Sequence, residues 1–369
     1  MSDNVIALSQ HFKRNNNAIG NLTLNFAANR RDQDDVFWLK ENAEILSILE
    51  CTGQKIEPSD LACYQDFYDS LPERIAFFPQ YYRFLTSIAL DLEALGLRGQ
   101  VGEQLCTFVD QQGLAKVELS DLQRAEATRL LARRQITSKD DTALRARLHA
   151  FMDHSASFAL PNRKAAYELT HIVFYLSEYG RRDPELSEKS VQSLMFIGIL
   201  AHLEQNADLL SEVCVALRYA GETPPRDWET WITCVVRDFE RSAGHANGAA
   251  DHYHEYLVAN WACAQIGASA FSGPYASEGV ALISPVTPMG AMRALSQALF
   301  ELDAPRRSSW AVMQLKLEAA LPEQVCAHLA SVAAATSQFE VFFEKFARVE
   351  MPRTCAPAAQ NVTFRDISR

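Results

Sequence analysis

The chain has 369 residues, 48% of them apolar and 22% charged, and its formal net charge is -11. This is the balance of a globular protein with room for two average domains or one large helical domain. The negative charge argues against nonspecific attraction to phosphate backbones or anionic lipid heads, so neither nucleic acid nor a membrane is an expected partner.

The two ends of the chain show little periodicity. Residues 1–31 are rich in Asn and Arg and predict a loose N-terminal arm, and residues 351–369 predict a tail. No apolar run approaches the ~20 residues that a membrane span needs. The first residues also have neither the apolar segment nor the cleavage site of a secretory signal. We therefore expect a cytoplasmic protein.

Between the two ends, apolar residues recur at helical spacing almost without interruption. Residues 32–155 predict an N-terminal helical region and residues 160–350 a C-terminal helical domain. In the second region, helices are predicted at 163–179, 185–204, 207–220, 227–242, 252–268, 289–302, 305–320 and 322–348. Strand signals are nearly absent. The expected fold class is all-α.

Three of these helices start near residues 163, 207 and 252 and are separated by about 45 residues, each interval spanning a helix pair. This spacing predicts paired antiparallel helices, arranged as an α/α toroid or an α-hairpin solenoid. A large up-down helical bundle is the alternative. The irregular stretch 269–289 is long for a connector, which favours a lid or a binding loop.

Polar residues interrupt the apolar pattern near the starts of the same three helices. The pairs, at spacings of three or four residues, are Glu168 with His171, Asp208 with Glu212, and Asp251 with His254. Such spacings place both members of a pair on one helix face, and in a toroid or bundle equivalent helix ends converge on one cavity. Carboxylates that neutralise charge and imidazoles that supply nitrogen donors are the ligands of zinc and of non-haem iron.

The pattern therefore predicts a divalent metal, zinc or iron, in a helical cavity. The expected metal ligands are His171, Asp208, Glu212, His254 and Asp251, and the expected catalytic residues are Tyr175 and Glu168. Tyr175 is the candidate proton donor, whereas Glu168 and Asp251 would orient other ligands or add to them. The predicted function is that of a metal-dependent enzyme acting on a small molecule or a modified peptide.

Other interpretations of the same residues remain open. His171 would also fit as a buried histidine bonded to Glu168 or to a carbonyl on a neighbouring helix, and Asp208 and Asp251 would fit as helix caps. A buried His–carboxylate pair would also serve acid–base catalysis without a metal. From another functional class, the chain would be a non-catalytic helical scaffold that binds a protein partner. The sequence indicates no oligomeric state.

Three strings carry a resemblance to a family: Tyr167–Leu176 with its Glu-Leu-Thr-His start, Asp208–Glu212, and Tyr253–Val258. In their order, they are similar to elements of an uncharacterised family of bacterial all-helical proteins. The resemblance covers about residues 160–265. It implies a shared helical scaffold with His171, Asp208, Glu212 and His254 as recurrent polar positions, and it implies no particular activity.

Overall fold

The computed structural model describes residues 18–136, 141–244, 251–276, 278–303 and 305–349. We label its helices and strands in chain order. They are α1 (residues 18–24, continued by the π-helical turn Asn25–Asn29), α2 (Val36–Cys51), α3 (Gln65–Phe77), α4 (Tyr82–Leu95), α5 (Val101–Gln111), α6 (Asp121–Ala132), α7 (Thr142–Met152), α8 (Ser155–Phe158), α9 (Arg163–Leu176), α10 (Glu188–Glu204), α11 (Ala207–Tyr219), α12 (Arg226–Asp238), β1 (Glu240–Ala243), α13 (Tyr253–Gln265), β2 (Val280–Ile283), α14 (Ala291–Leu302), α15 (Trp310–Glu318), α16 (Glu323–Ala335) and α17 (Phe339–Phe346).

The predicted all-α fold class is confirmed. The toroid or solenoid arrangement of the helix pairs stays a prediction. The predicted single helix over 322–348 is wrong, because Thr336 is extended and separates α16 from α17. The hydroxyl of Thr336 accepts a hydrogen bond from the amide of Gln338 at 3.2 Å, a local bond that competes with the helical pattern.

The N-terminal segment differs from the predicted loose arm. Residues 18–31 are packed, with Leu22 and Phe26 fully buried in the core. Ala18, Leu22 and Phe26 recur every four residues and form an apolar helix face, which the neighbouring Asn and Arg residues hid in the sequence. The side chain of Asn25 donates a hydrogen bond of 2.6 Å to the carbonyl of Ala276, far along the chain. Residues 1–17 of the predicted arm and residues 351–369 of the predicted tail lie outside the described residues.

Parts of the segment 269–289, for which the sequence favours a lid or a binding loop, pack into the core. Phe271 and Tyr275 are buried, and β2 pairs antiparallel with β1 in the register Glu240 to Ile283. This short pair was not expected from the sequence, since four-residue strands carry little periodic signal. At β2 the segment packs against α13. Ser284, which directly follows β2, lines a cavity.

One hydrophobic core runs through both regions that the sequence separated, because α2 contacts α13, α6 contacts α9, and α10 contacts α7 and α8. Helix α11 lies in the middle and contacts α9, α10, α12 and α13. It is buried on nearly all sides, and its buried residues include the polar Ser211 and Glu212. Polar residues on α11 are therefore held inside the protein. No helix within the described ranges is long and apolar enough to cross a membrane.

Candidate functional site

Asp208 and Glu212 project from the first two turns of α11. The helix begins at Ala207 because the side chain of Asn206 accepts a hydrogen bond from the amide of Leu209 at 3.1 Å, which is N-cap geometry. Since Asn206 is the cap, the cap interpretation of Asp208 does not hold. Glu212 is 1% exposed, so its carboxylate lies where only a specific partner offsets the loss of water, whereas the Asp208 side chain is partly buried.

His254, on α13, brings its imidazole to these two carboxylates. Its Nε2 lies 3.1 Å from Oδ1 of Asp208 and 3.7 Å from Oε1 of Glu212. The other ring nitrogen, Nδ1, is 2.5 Å from Oε1 of Glu44 on α2. One ligand atom from each of Asp208, Glu212 and His254 lies within 4.8 Å of the other two. The sequence prediction that α11 and α13 meet at these residues thus agrees with the geometry.

Each of the three side chains is oriented by a hydrogen bond on its far side. The hydroxyl of Tyr167 donates to Oδ2 of Asp208 at 2.8 Å, and that of Thr170 donates to Oε2 of Glu212 at 2.5 Å. Oδ1 of Asp208 is buried and faces Nε2 of His254 at 3.1 Å. The ligand atoms that Tyr167, Thr170 and Glu44 leave available for a metal ion are Oδ1 of Asp208, Oε1 of Glu212 and Nε2 of His254.

The charges of this cluster depend on one another. Burial by itself lowers the pKa of His254, but Glu44 and Asp208 reverse that effect and raise the pKa well above its usual value. Burial opposes ionisation of Asp208, yet the nearby His254 ring and the Tyr167 hydroxyl leave the pKa of Asp208 lowered. Burial raises the pKa of Glu212, which His171 counteracts only in part. Without a metal ion, the cluster therefore holds a proton on His254.

His171 lies beside the cluster. Its Nδ1 is 2.7 Å from the carbonyl oxygen of Tyr167, and because a carbonyl can only accept, Nδ1 carries the hydrogen. In the neutral ring, Nε2 is then a free acceptor. Nδ1 is also 3.7 Å from Oε2 of Glu212. The bond thus lies within α9, and not to Glu168 or to a carbonyl on a neighbouring helix as the alternative interpretation expected. His171 is a neighbour of the three-residue cluster rather than one of its members.

The remaining predicted residues are placed apart from the cluster. Asp251 forms an ion pair with Arg30, which also binds Glu41, so the packed N-terminal segment holds Asp251 away from a ligand position. Glu168 lies 3.9 Å from Lys164 on the outer side of α9. The ring of Tyr175 is 6.1 Å from that of His171, one turn farther from the carboxylates. Burial raises the pKa of Tyr175 well above its usual value, so its hydroxyl keeps its proton.

Glu44 is the functional candidate that sequence reasoning missed. It lies in α2, where Lys40, Glu44 and Ser47 recur at spacings of four and three residues in a helix that also carries Glu41, Asn42 and Glu50. That spacing places the three side chains on one helix face and was the available signal. Its role became visible only because α2 contacts α13 across 210 residues of sequence.

The cluster lies between two cavities. Cavity A, of about 510 Å³, is lined by Lys40, Ala43, Glu44, Ser47, Ile48, Phe84, Ser87, Glu126, Tyr167, His171, Phe174, Tyr175, Tyr179, Asp208, Glu212, His254, Val258 and Trp261. Cavity B, of about 550 Å³, has a more polar wall that includes Arg163, Glu204, Glu255, Ser284 and Arg293. Both cavities are lined by Tyr167, Asp208 and His254. Small molecules therefore have two approaches to the same donor atoms.

A family model described as Domain of unknown function (DUF6902) matches residues 2–349, nearly the whole chain. The chain belongs to this family. The match extends well beyond residues 160–265, to which the sequence resemblance was limited, and includes the region that supplies Glu44. The bacterial origin and the three sequence elements stay predictions. No curated protein and no solved structure matches the chain.

Proposed function

We propose that Asp208, Glu212 and His254 bind a divalent metal ion and that the protein is a metal-dependent enzyme acting on a small molecule. The observation that carries this proposal is that one ligand atom from each of Asp208, Glu212 and His254 lies within 4.8 Å of the other two, with the buried Oδ1 of Asp208 3.1 Å from Nε2 of His254. Three donor atoms so close together suit a shared cation, which would take the place of the proton on His254.

The donor distances fit such an ion. Ligands about 2.0–2.2 Å from a metal are separated by about 2.8–3.6 Å in octahedral or tetrahedral arrangements. The separation of 3.1 Å between His254 and Asp208 falls in this range, and that of 3.7 Å between His254 and Glu212 lies just beyond it. Small rotations of the Glu212 side chain would bring its oxygen into the range.

The surroundings of the three donors are those of a metal site. A ligating histidine usually donates its second nitrogen to a carboxylate or carbonyl, and ligating carboxylates are themselves hydrogen-bonded. Glu44 does this for His254, Tyr167 for Asp208 and Thr170 for Glu212. These bonds fix the direction of each donor before an ion arrives, so little ordering is needed on binding.

Two carboxylates and one imidazole suit zinc, iron or manganese, and fewer than four protein ligands leave positions for water and substrate. A bound ion would polarise a substrate oxygen and lower the pKa of a bound water. The protein's own contribution is to hold the substrate in cavity A or B. His171, whose Nε2 accepts, is placed to hold a donor group of the substrate.

The test is the metal content of protein purified without a histidine tag. We expect about one zinc, iron or manganese per chain, and a thermal shift when the metal is returned to chelator-treated protein. Asp208→Ala should reduce the content to background, whereas the control His149→Gln, on α7 and outside both cavities, should leave it unchanged. Wild-type protein with no stoichiometric metal and no thermal shift would contradict the proposal.

The same measurement separates the alternatives. If the metal is absent, the proton on His254 and its carboxylate partners favour acid–base chemistry without a metal, supported by the raised pKa of His254. A scaffold that binds a protein partner predicts neither metal nor a small-molecule ligand. The cytoplasmic location inferred from the sequence stays a prediction.

A further inference from the structure

Cavity A extends along α9. Tyr167, His171 and Tyr175 line it at intervals of four residues, so they share one helix face. Eight residues of helix span about 12 Å. The metal cluster lies at the Tyr167 end, where the tyrosine contacts Asp208, and Tyr175 marks the opposite end. A ligand in this cavity is therefore elongated, with one end at the cluster.

Six aromatic side chains line cavity A beside its polar residues. The ring centroids of Trp261 and Phe174 are 4.7 Å apart, and Trp261 is stacked on Tyr179 at 5.7 Å with an angle of 17° between the rings. Phe84 and Val258 complete the apolar surface. Aromatic groups favour offset-stacked or edge-to-face neighbours at such distances, so this wall recognises flat apolar rings.

Most charged groups of cavity A are paired already, and Lys40, which also lines it, is exposed to solvent. Glu126 forms an ion pair with Arg83, and Glu44 is bound to His254. Asp208 and Glu212 face the ring of His254, and in the proposed metal site the ion would also balance their charges. Burial of a further charge beside these paired groups would carry a desolvation penalty without a compensating partner. The cavity therefore favours a ligand whose body is uncharged.

We propose that cavity A binds an uncharged aromatic small molecule, two or three rings long, with a polar group at the end that reaches Asp208 and His254. This substrate class rests on the proposed function of the cluster. The volume of about 510 Å³ is within the range of cavities that enclose one small organic ligand. Cavity B is less suited to such a ring, because its lining has fewer aromatic rings than that of cavity A, with Tyr167 and Tyr253 in place of six.

Binding of 6-fluoro-2-naphthol, followed by fluorine NMR in chelator-treated protein, tests this inference. We expect saturable one-to-one binding, and binding of 6-fluoro-2-naphthoate, which has a carboxylate in place of the hydroxyl, that is weaker by about tenfold or more. Ala43→Phe fills cavity A and should weaken naphthol binding by about tenfold or more. The matched change Val286→Phe, in cavity B, should leave it unchanged. If Ala43→Phe does not fold, Ser47→Leu on the same helix replaces it.

No saturable binding of the naphthol, equal binding of the naphthoate, or equal losses in the two filling variants would overturn the inference. Because the probes are used without metal, this failure is distinct from failure of the proposed function. Metal bound at Asp208 without naphthol binding overturns the substrate class alone. Naphthol binding in a protein that takes up no metal overturns the metal site alone.

Discussion

The partly buried His254 and the buried His202 show how differently one side chain behaves in two parts of this molecule. His254 lies among carboxylates, with Glu44 on one ring nitrogen and Asp208 at the other. His202, on α10, lies among rings: its centroid is 6.4 Å from that of Trp228, 6.1 Å from that of Trp231 and 5.5 Å from that of His328. The two regions share the same core and differ in the partners that they offer.

The pKa values of the two histidines shift in opposite directions. Burial lowers the pKa of His202 to about 4, with a further contribution from His328 and only a weak opposing one from Asp227. Burial acts on His254 in the same sense, but its carboxylate partners reverse the result. Partners rather than burial thus decide whether a histidine is charged. Nδ1 of His202 has no hydrogen bond to a described residue, whereas both nitrogens of His254 face carboxylates.

His202→Leu should produce the largest effect, a loss of acid sensitivity. The pKa is about 4 in the folded protein and about 6.5 when unfolded, so between these values only the unfolded state takes up the proton. Acidification from pH 6.5 to 4 therefore destabilises the wild type through this group, by on the order of 3 kcal/mol. Above pH 6.5 the group has no such effect. Denaturant unfolding at pH 7 and pH 4.5, with a chelator present, measures the difference.

His254 and His328 are present in both proteins, so the difference in acid sensitivity between wild type and His202→Leu isolates the contribution of His202. A variant that loses as much stability on acidification as the wild type would show that His202 is not kept neutral by its surroundings.

The features predicted from the sequence are those that periodicity encodes. Apolar spacing along α9 to α14 located these helices, since each buries a face against its neighbours. The prediction failed for residues 18–31, where Asn and Arg residues concealed the apolar face of Leu22 and Phe26. The strand pair was also missed, because β1 and β2 depend on a partner distant in sequence.

For the site, helical spacing was enough to pair Asp208 with Glu212 and to suggest His254. It was not enough to exclude Asp251, since the decisive contact is with Arg30 on a segment 221 residues earlier. Glu44 was missed for the same reason. Local patterns indicate which residues share a helix face, while long-range packing decides which faces meet.

Glu44→Ala should weaken metal binding by about 10- to 100-fold, the usual effect of losing a partner that orients a ligating histidine. Glu44→Gln should recover part of this loss, because the amide oxygen still accepts from Nδ1 of His254. Competition titrations against a metal indicator measure the affinity. Glu50→Ala, on the same helix but paired with Arg181 outside cavity A, is the control. Equal affinities in Glu44→Ala and wild type would mean that Glu44 does not position His254.

Tyr167→Phe should have the smallest effect, because Asp208 keeps its other contacts when the hydroxyl is removed. The lost bond is the 2.8 Å donation from Tyr167 to Oδ2 of Asp208, and we expect metal affinity to fall by about three- to tenfold, corresponding to about 1 kcal/mol. Tyr175→Phe is the matched control, since it removes the same hydroxyl from the same cavity face, two turns along α9, away from both carboxylates. In the indicator titration, Tyr175→Phe should bind the metal with the affinity of the wild type. Equal losses of metal affinity in the two variants would point to a general loosening of cavity A. A loss confined to Tyr167→Phe would show that the binding geometry of the carboxylate region depends on individual hydrogen bonds, unlike the ring-lined region of His202.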